Sequence, residues 1–447
     1  MRVSALISVI ILVLAAALFS LGDFSKDNPD VDIQSPVRFG GTFLALSDTD
    51  MAGTAYADGQ LEPIDAIDTL SLIAAGAVTA SVPASNSVIS WPQVIDIAPD
   101  GKQVFVVETR GAAPAGVTAF DDVRQDFPAG STLSIFSLVD GTLSLIGTRT
   151  DIGTNPGSVE FAKRSGFLVI AAEDKGKELT IVGLRWDGSV REVRRLALNI
   201  DYFPNEENER VRTVHIAPDG RTLAVNIANR RVQFFTLDID STGLPRAAIP
   251  IGNPTNQFGK RLSVGKWTPD GRFFITTDTG WSDNALAMMV QGPGTLSVIA
   301  PPRTGGNPRI VSQQTVGLSP EGFDISIDGT QVATIDMGRT YLPPHPALSF
   351  WPARRSYTIT LLTLDPNTGI LTRTDQIART GILPEDILFD ARGKNLAVAV
   401  FHRRTGPDRQ RGFIDFFSIN EGTLTAQKAT RVVPRGVHDL VLVPSPK

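Results

Sequence analysis

The chain contains no cysteine. That excludes disulfides, thiol nucleophiles and Cys-ligated zinc or iron–sulfur centres. Histidine is nearly as scarce, with four in 447 residues, too few for a multi-histidine haem or copper site. A P-loop, a dinucleotide-binding glycine pattern, an HExxH pair and a GxSxG elbow are all missing. The formal net charge of −5 argues against a nucleic-acid partner, which needs a concentrated positive surface. Stability must therefore come from packing.

What the chain does have is turns. It holds 40 Gly and 30 Pro within a composition that is 42% apolar and 20% charged, as expected of a globular protein. Residues 3–21 form an almost unbroken apolar run, with Arg2 before it and a polar stretch after it. This is the profile of an export signal cleaved after Gly22, and the run is also long enough for an uncleaved membrane anchor. Either way the body of the chain is expected outside the cytoplasm, in a periplasm or at a cell surface. Residues 23–36 read as a linker.

The remainder is built on one repeated unit. Residues 94–108, VIDIAPDGKQVFVVE, read as strand, tight turn and strand, with Pro99, Asp100 and Gly101 supplying the turn. The unit returns at 214–225 (VHIAPDGRTLAV), 265–276 (GKWTPDGRFFIT), 323–333 (FDISIDGTQVA) and 387–398 (ILFDARGKNLAV). Each is followed by a second hairpin, as in LSIFSLVDGTLSL and ITLLTLDPNTGILT. Residues 42–47, 69–74 and 77–83 look like three strands of a unit that lacks its first, and residues 437–444 look like a first strand with nothing after it. Joined, they complete a seventh unit. The expectation is an all-β fold over residues 37–447: a seven-bladed β-propeller of four-stranded antiparallel blades, its ring closed by the C-terminal strand joining the N-terminal blade.

The repeated apolar-x-apolar-x-Pro-Asp-Gly-Lys/Arg hairpin and the seven-fold count resemble the lactonase-like and YVTN-type seven-bladed β-propellers. The likeness covers nearly all of residues 37–447 and lies in turn and core residues. It implies the fold, and it leaves lactone hydrolysis, redox chemistry and partner binding all open as activities.

Function should lie on the face with long loops. In an up-and-down blade the connections between second and third strands share one face with those between blades, and here they are long in five contiguous blades. Arg339, Arg354, Arg355, Arg403 and Arg404, with Trp351, are candidates to hold a small anionic ligand, or else to pair with the acidic residues of the first blade. Tyr341, Phe350 and Trp281 add aromatic surface that a carbohydrate or a cell-envelope protein partner would use, or that packs the loops down. The starts of the innermost strands place Gln93, Arg212, Glu321, Glu385 and His438 around the channel mouth. Glu321, Glu385, His438 and Arg212 would supply base, acid and oxyanion stabiliser for opening a lactone, or would hydrogen-bond to one another. Asp96, Glu160, His215, Asp324 and Asp386 read as hydrogen-bonding residues between blades. No dedicated metal site is expected. Residues 48–59 begin like a calcium loop, but Ala52 replaces an oxygen ligand and Gly59 stands where a bidentate Glu belongs. Glu321 and Glu385 are the alternative ligands for a divalent cation in the channel. The leading reading is an exported monomeric binding scaffold, and the second is a lactonase-like hydrolase.

Overall fold

The computed structural model describes residues 33–49, 67–86, 91–112, 114, 127–200, 210–282, 285–302, 306–342, 353–403 and 410–444. The apolar run at 3–21, most of the linker, Phe350, Trp351 and Arg404 lie outside the described residues. Among the described residues no helix is long and apolar enough to cross a membrane.

The described strands form seven four-stranded antiparallel sheets. The expected hairpin is present in each repeat: Ile95 pairs with Val106 and Ile97 with Val104. Its turn is set by chemistry that only a few residues supply. Gly101 adopts φ 72° and Gly220 φ 73°, a left-handed conformation that side chains disfavour. Asp100 Oδ1 accepts the Lys102 N–H at 3.0 Å, and Asp219 Oδ1 accepts the Arg221 N–H at 2.7 Å. Aspartate before glycine therefore closes the turn from within.

The ring closes as the incomplete ends require. The C-terminal strand Val437–Leu442 pairs antiparallel with Phe43–Ser47, which pairs onward with Thr69–Ala74. These, with Ala77–Pro83, make blade 1. Blades 2 to 7 follow in chain order, with innermost strands Ile95–Ile97, Ser158–Ala162, Val211–Ile216, Leu262–Trp267, Pro320–Ile325 and Ile382–Phe389. Apolar packing runs between blades: one buried cluster joins Phe43, Leu440 and Val437 of blade 1 to Ala397 and Phe416 of blade 7. Burying such faces against each other is the main favourable contribution to this architecture.

Around the channel, polar side chains latch each inner strand to the next. Asp439 of blade 1 accepts the Val94 N–H at 2.7 Å, and Asp96 of blade 2 accepts the Phe161 N–H at 2.6 Å. Glu160 of blade 3 accepts the Ile216 N–H at 2.8 Å and contacts His215 Nδ1 at 2.8 Å. Trp267 of blade 5 donates to the His215 carbonyl at 3.0 Å, and Lys266 pairs with Asp324 of blade 6 at 2.9 Å. Asp324 accepts the Phe389 N–H at 2.8 Å, and Asp386 of blade 7 accepts the Leu440 N–H at 2.8 Å. The five residues expected to bond between blades all do so. Asp439 has the same role and was not anticipated, although aligning Glu385-Asp386 with His438-Asp439 reveals it.

The N-terminal arm crosses this closure. Arg431 of blade 7 donates to the carbonyls of Ile33 (3.0 Å), Ser35 (2.9 Å) and, on blade 1, Gly76.

Candidate functional site at the channel mouth

Glu321, Glu385 and His438 stand at equivalent positions on the inner strands of three successive blades, 6, 7 and 1. What brings the first two together is a glycine. A Cβ on Gly322 would lie 2.3 Å from the Glu385 carbonyl oxygen and 2.9 Å from the Asp386 Cα. Only a residue without a side chain allows the inner strands of blades 6 and 7 to approach so closely.

All three side chains are buried, with exposures of 4% for Glu321, 6% for Glu385 and 0% for His438. Among the described residues neither glutamate carboxyl has a hydrogen-bond partner, and Glu385 Oε2 is fully buried in that state. His438 Nδ1 contacts the Gly436 carbonyl at 3.0 Å and must therefore carry the proton. Its Nε2 is a bare, buried lone pair.

The electrostatics follow from burial and crowding. Burial, then the charge of Asp386, raises Glu321 to about 8. Burial, then the charges of Glu321, Asp48, Asp439 and Asp386, holds Glu385 well above the carboxylate range. Burial raises Asp386 to about 7 against the opposing pull of Lys266, and with Asp386 it also raises Asp439. Burial disfavours the Lys266 ammonium, yet Asp324, Asp386 and Asp439 more than reverse this and raise its pKa. Burial lowers His438 to about 4, so its imidazole is neutral at physiological pH.

The other expected residues lie elsewhere. Arg212 pairs with Glu173 at 3.2 Å on the blade 3 and 4 side. Gln93 is spent within the fold: its Nε2 donates to the Gly265 carbonyl at 2.6 Å. Arg339 is buried and donates to the Gln291 carbonyl at 2.8 Å, and buried Arg354 donates to the Leu342 carbonyl at 3.4 Å. Arg403 pairs with Asp415 at 2.9 Å and lies over the Phe413 ring. Arg355 is exposed. Glu321 and Glu385 offer two oxygen ligands where a divalent cation takes more, and among the described residues no group of three or more His, Asp or Glu is placed to hold a metal.

An aromatic run packs against the segments that lead into these strands. The rings of Trp91 and Trp281 are 6.1 Å apart, and those of Trp281 and Tyr341 are 5.2 Å apart. Trp281 Nε1 donates to Ser319 Oγ at 2.9 Å, two residues before Glu321. Trp91 carries no motif in the sequence, and only the folded ring places it here.

No protein-family model matches the sequence, and no curated protein does. Solved structures do. The periplasmic gluconolactonase of Pseudomonas aeruginosa is 17% identical, with a TM-score of 0.58 over 91% of this chain and 100% of that one. A Bacteroides fragilis protein provisionally classed as a 6-phosphogluconolactonase is also 17% identical, with a TM-score of 0.56 over 93% and 100%. A functionally unknown protein from Desulfotomaculum acetoxidans is 10% identical, with a TM-score of 0.57 over 89% and 98%. At such identities the likeness is one of fold, and in fold the chain is a seven-bladed β-propeller similar to these structures.

Proposed function

We propose that this protein is an exported binding propeller whose channel mouth, at Glu321, Glu385 and His438, takes up a small neutral molecule rich in hydroxyl groups. One observation carries the reading: neither the Glu321 nor the Glu385 carboxyl has a hydrogen-bond partner among the described residues, and Glu385 Oε2 is fully buried in that state. Leaving a buried atom such as Glu385 Oε2 unpaired costs about 1–3 kcal/mol, and a ligand hydroxyl would recover that cost. A neutral ligand suits the site better than an anionic one, because Arg339, Arg354 and Arg403 are already engaged and the charges acting on the two glutamates are carboxylates. Export is supported by the apolar run at residues 3–21 and by the periplasmic origin of one structural neighbour.

A second reading is favoured by the charge that Glu321 places on Glu385, which with burial raises the Glu385 carboxyl. Where one of the two is ionised and the other protonated, the pair joins a base to an acid. On a bound lactone the ionised member would take a proton from water as the water oxygen bonds to the carbonyl carbon. The protonated member would give its proton to the ring oxygen as the C–O bond breaks. One water is consumed, a hydroxy acid leaves and the pair ends with its protons exchanged.

Both readings are tested with freshly dissolved glucono-delta-lactone. Binding raises the melting midpoint of the protein, and hydrolysis releases acid faster than the spontaneous reaction. Glu321→Gln and Glu385→Gln should abolish acid release while the variants remain folded. If acid release is unchanged in both variants, the hydrolase reading is lost. If the wild-type midpoint does not move, the site does not bind this class of molecule.

A further inference from the structure

We propose that the face carrying the short turns lies on a lipid bilayer, anchored there by the apolar run at residues 3–21, so that the channel mouth opens away from lipid. The inference concerns the face opposite Glu321 and Glu385, and it stands or falls independently of any ligand there. In each blade the hairpin turn between first and second strands shares this face with the outer turn between third and fourth strands. Contacts between turns bear this out. The Arg272 guanidinium, on the hairpin turn of blade 5, donates to the Pro366 carbonyl at 2.9 Å and to Asn367 Oδ1 at 3.0 Å, both on the outer turn of blade 6. A Cβ on Gly188, in the outer turn of blade 3, would lie 2.4 Å from Gln103 Nε2, just after the hairpin turn of blade 2.

The N-terminal arm arrives on the same face. The Gly40 N–H donates to Asp390 Oδ2 in the hairpin turn of blade 7 at 3.0 Å, and the Ala391 N–H donates back to the Gly40 carbonyl at 2.9 Å. A Cβ on Gly76, in the outer turn of blade 1, would lie 2.8 Å from Val37 Cβ. Residues 22–32 join this arm to the apolar run, and a stretch of that length reaches at most about 40 Å. A run that enters a bilayer therefore brings the short-turn face nearest the lipid.

The face suits that neighbour. Bulky apolar side chains project from it at three separate places around the ring. Trp186, 94% exposed in the outer turn of blade 3, and exposed Val139, at the outer turn of blade 2, flank the segment Lys102–Gln103, whose Lys102 carbonyl accepts the Leu138 N–H at 2.8 Å. Exposed Ile327 and Ile370 lie in the two turns of blade 6, which the Leu364 N–H joins by donating to the Thr330 carbonyl at 2.8 Å. Exposed Ile33 is the third point, held by Arg431 where blade 7 meets blade 1. Three apolar points set a plane, as a bilayer surface requires, and tryptophan is favoured at the lipid–water interface. Lys102, Arg164, Arg221 and Lys394 are exposed on the same turns. Asp100 and Asp219 there are turned onto backbone N–H groups, so the basic side chains are left to meet anionic headgroups.

The absence of native cysteine allows single cysteines to report on each face. Trp186→Cys, Ile327→Cys and Arg355→Cys, the last on the long-loop face, are labelled with a polarity-sensitive fluorophore in the full chain. Each is reconstituted with vesicles of phosphatidylethanolamine and phosphatidylglycerol, and its melting midpoint is recorded. Labels in place of Trp186 and Ile327 should shift their emission to the blue and lose quenching by aqueous iodide, while the label in place of Arg355 keeps both. Should Ile327→Cys fail to fold, Trp186→Cys decides, since that side chain packs on nothing. Equal iodide quenching on the two faces would overturn the proposal, and so would a full chain that does not float with the vesicles. Protection of the short-turn labels in native envelopes but not in vesicles would assign the face to a protein partner and overturn it as well.

Discussion

Gln93 of blade 2 and Gly265 of blade 5 are hydrogen-bonded to each other across the central channel, at 2.6 Å from Gln93 Nε2 to the Gly265 carbonyl and 3.4 Å from the Gly265 N–H to Gln93 Oε1. These blades are as far apart as a seven-membered ring allows. The amide thus acts as a crossbar that ties opposite walls. Replacing Gln93 by alanine removes both bonds and leaves a buried carbonyl and N–H, at an expected loss of about 1–3 kcal/mol. Chemical denaturation measures this, and an unchanged midpoint would show that the crossbar contributes nothing.

The buried acids set a pH dependence with an unusual sign. Asp96 and Asp336 are raised to about 6, Asp386 to about 7 and Glu321 to about 8, in each case chiefly by burial, and Glu385 and Asp439 are also raised. The folded protein therefore holds protons that the unfolded chain has released, and stability falls as pH rises from about 4 to about 8. His438, lowered to about 4, opposes this between about 4 and 6.5, but it is one group against six. The melting midpoint should be higher at pH 5 than at pH 8, and Glu321→Gln should flatten the slope. A midpoint that climbs over this interval would contradict the assignment of these groups.

Gly322→Ala is expected to be among the most damaging small substitutions in the protein. The new methyl meets backbone atoms of Glu385 and Asp386, which cannot swing aside as a side chain can. Overpacking of this kind costs about 1–3 kcal/mol or more. The same change pushes Glu321 and Glu385 apart, so lactone binding should weaken beyond what the fall in stability explains. Calorimetry on the folded variant separates the two effects.

Removing residues 437–447 deletes the inner strand of blade 1. It exposes the edge of Phe43–Ser47, removes the partner of Asp386 and takes away Asp439, which holds Val94 and Ile95. The loss should exceed about 3 kcal/mol, since several buried networks fail together, and limited proteolysis should then cut throughout the ring. Survival of blades 2 to 7 at their original midpoint would mean that closure matters little.

Much of the fold was legible because a propeller repeats its turn chemistry. Asp100-Gly101 and Asp219-Gly220 mark the same corner, and the missing first strand at one end matched the orphan strand at the other. Counting back from an aligned core residue puts Glu321, Glu385 and His438 at one level, because inner strands share a register. The arginines were less legible. Arg339 and Arg354 sit in segments whose polarity suggests surface, yet both are buried with their guanidiniums turned onto backbone carbonyls. Loops obey no period that separates inside from outside. Trp91 was invisible for a related reason: its role depends on Trp281, nearly two hundred residues away, and no local pattern joins them.

The clamp made by Arg431 has a mechanical consequence. One guanidinium on blade 7 grips the N-terminal arm at Ile33 and Ser35 and also grips Gly76 on blade 1. Tension arriving through residues before Ile33 is therefore shared between blade 7 and the N-terminal strands of blade 1, where Phe43–Ser47 is joined to Val437–Leu442 by strand pairing rather than by the chain. A tether on this side of the molecule can be pulled without prising the propeller open, whereas the same force applied at the C-terminus would peel Val437–Leu442 from its neighbours strand-first.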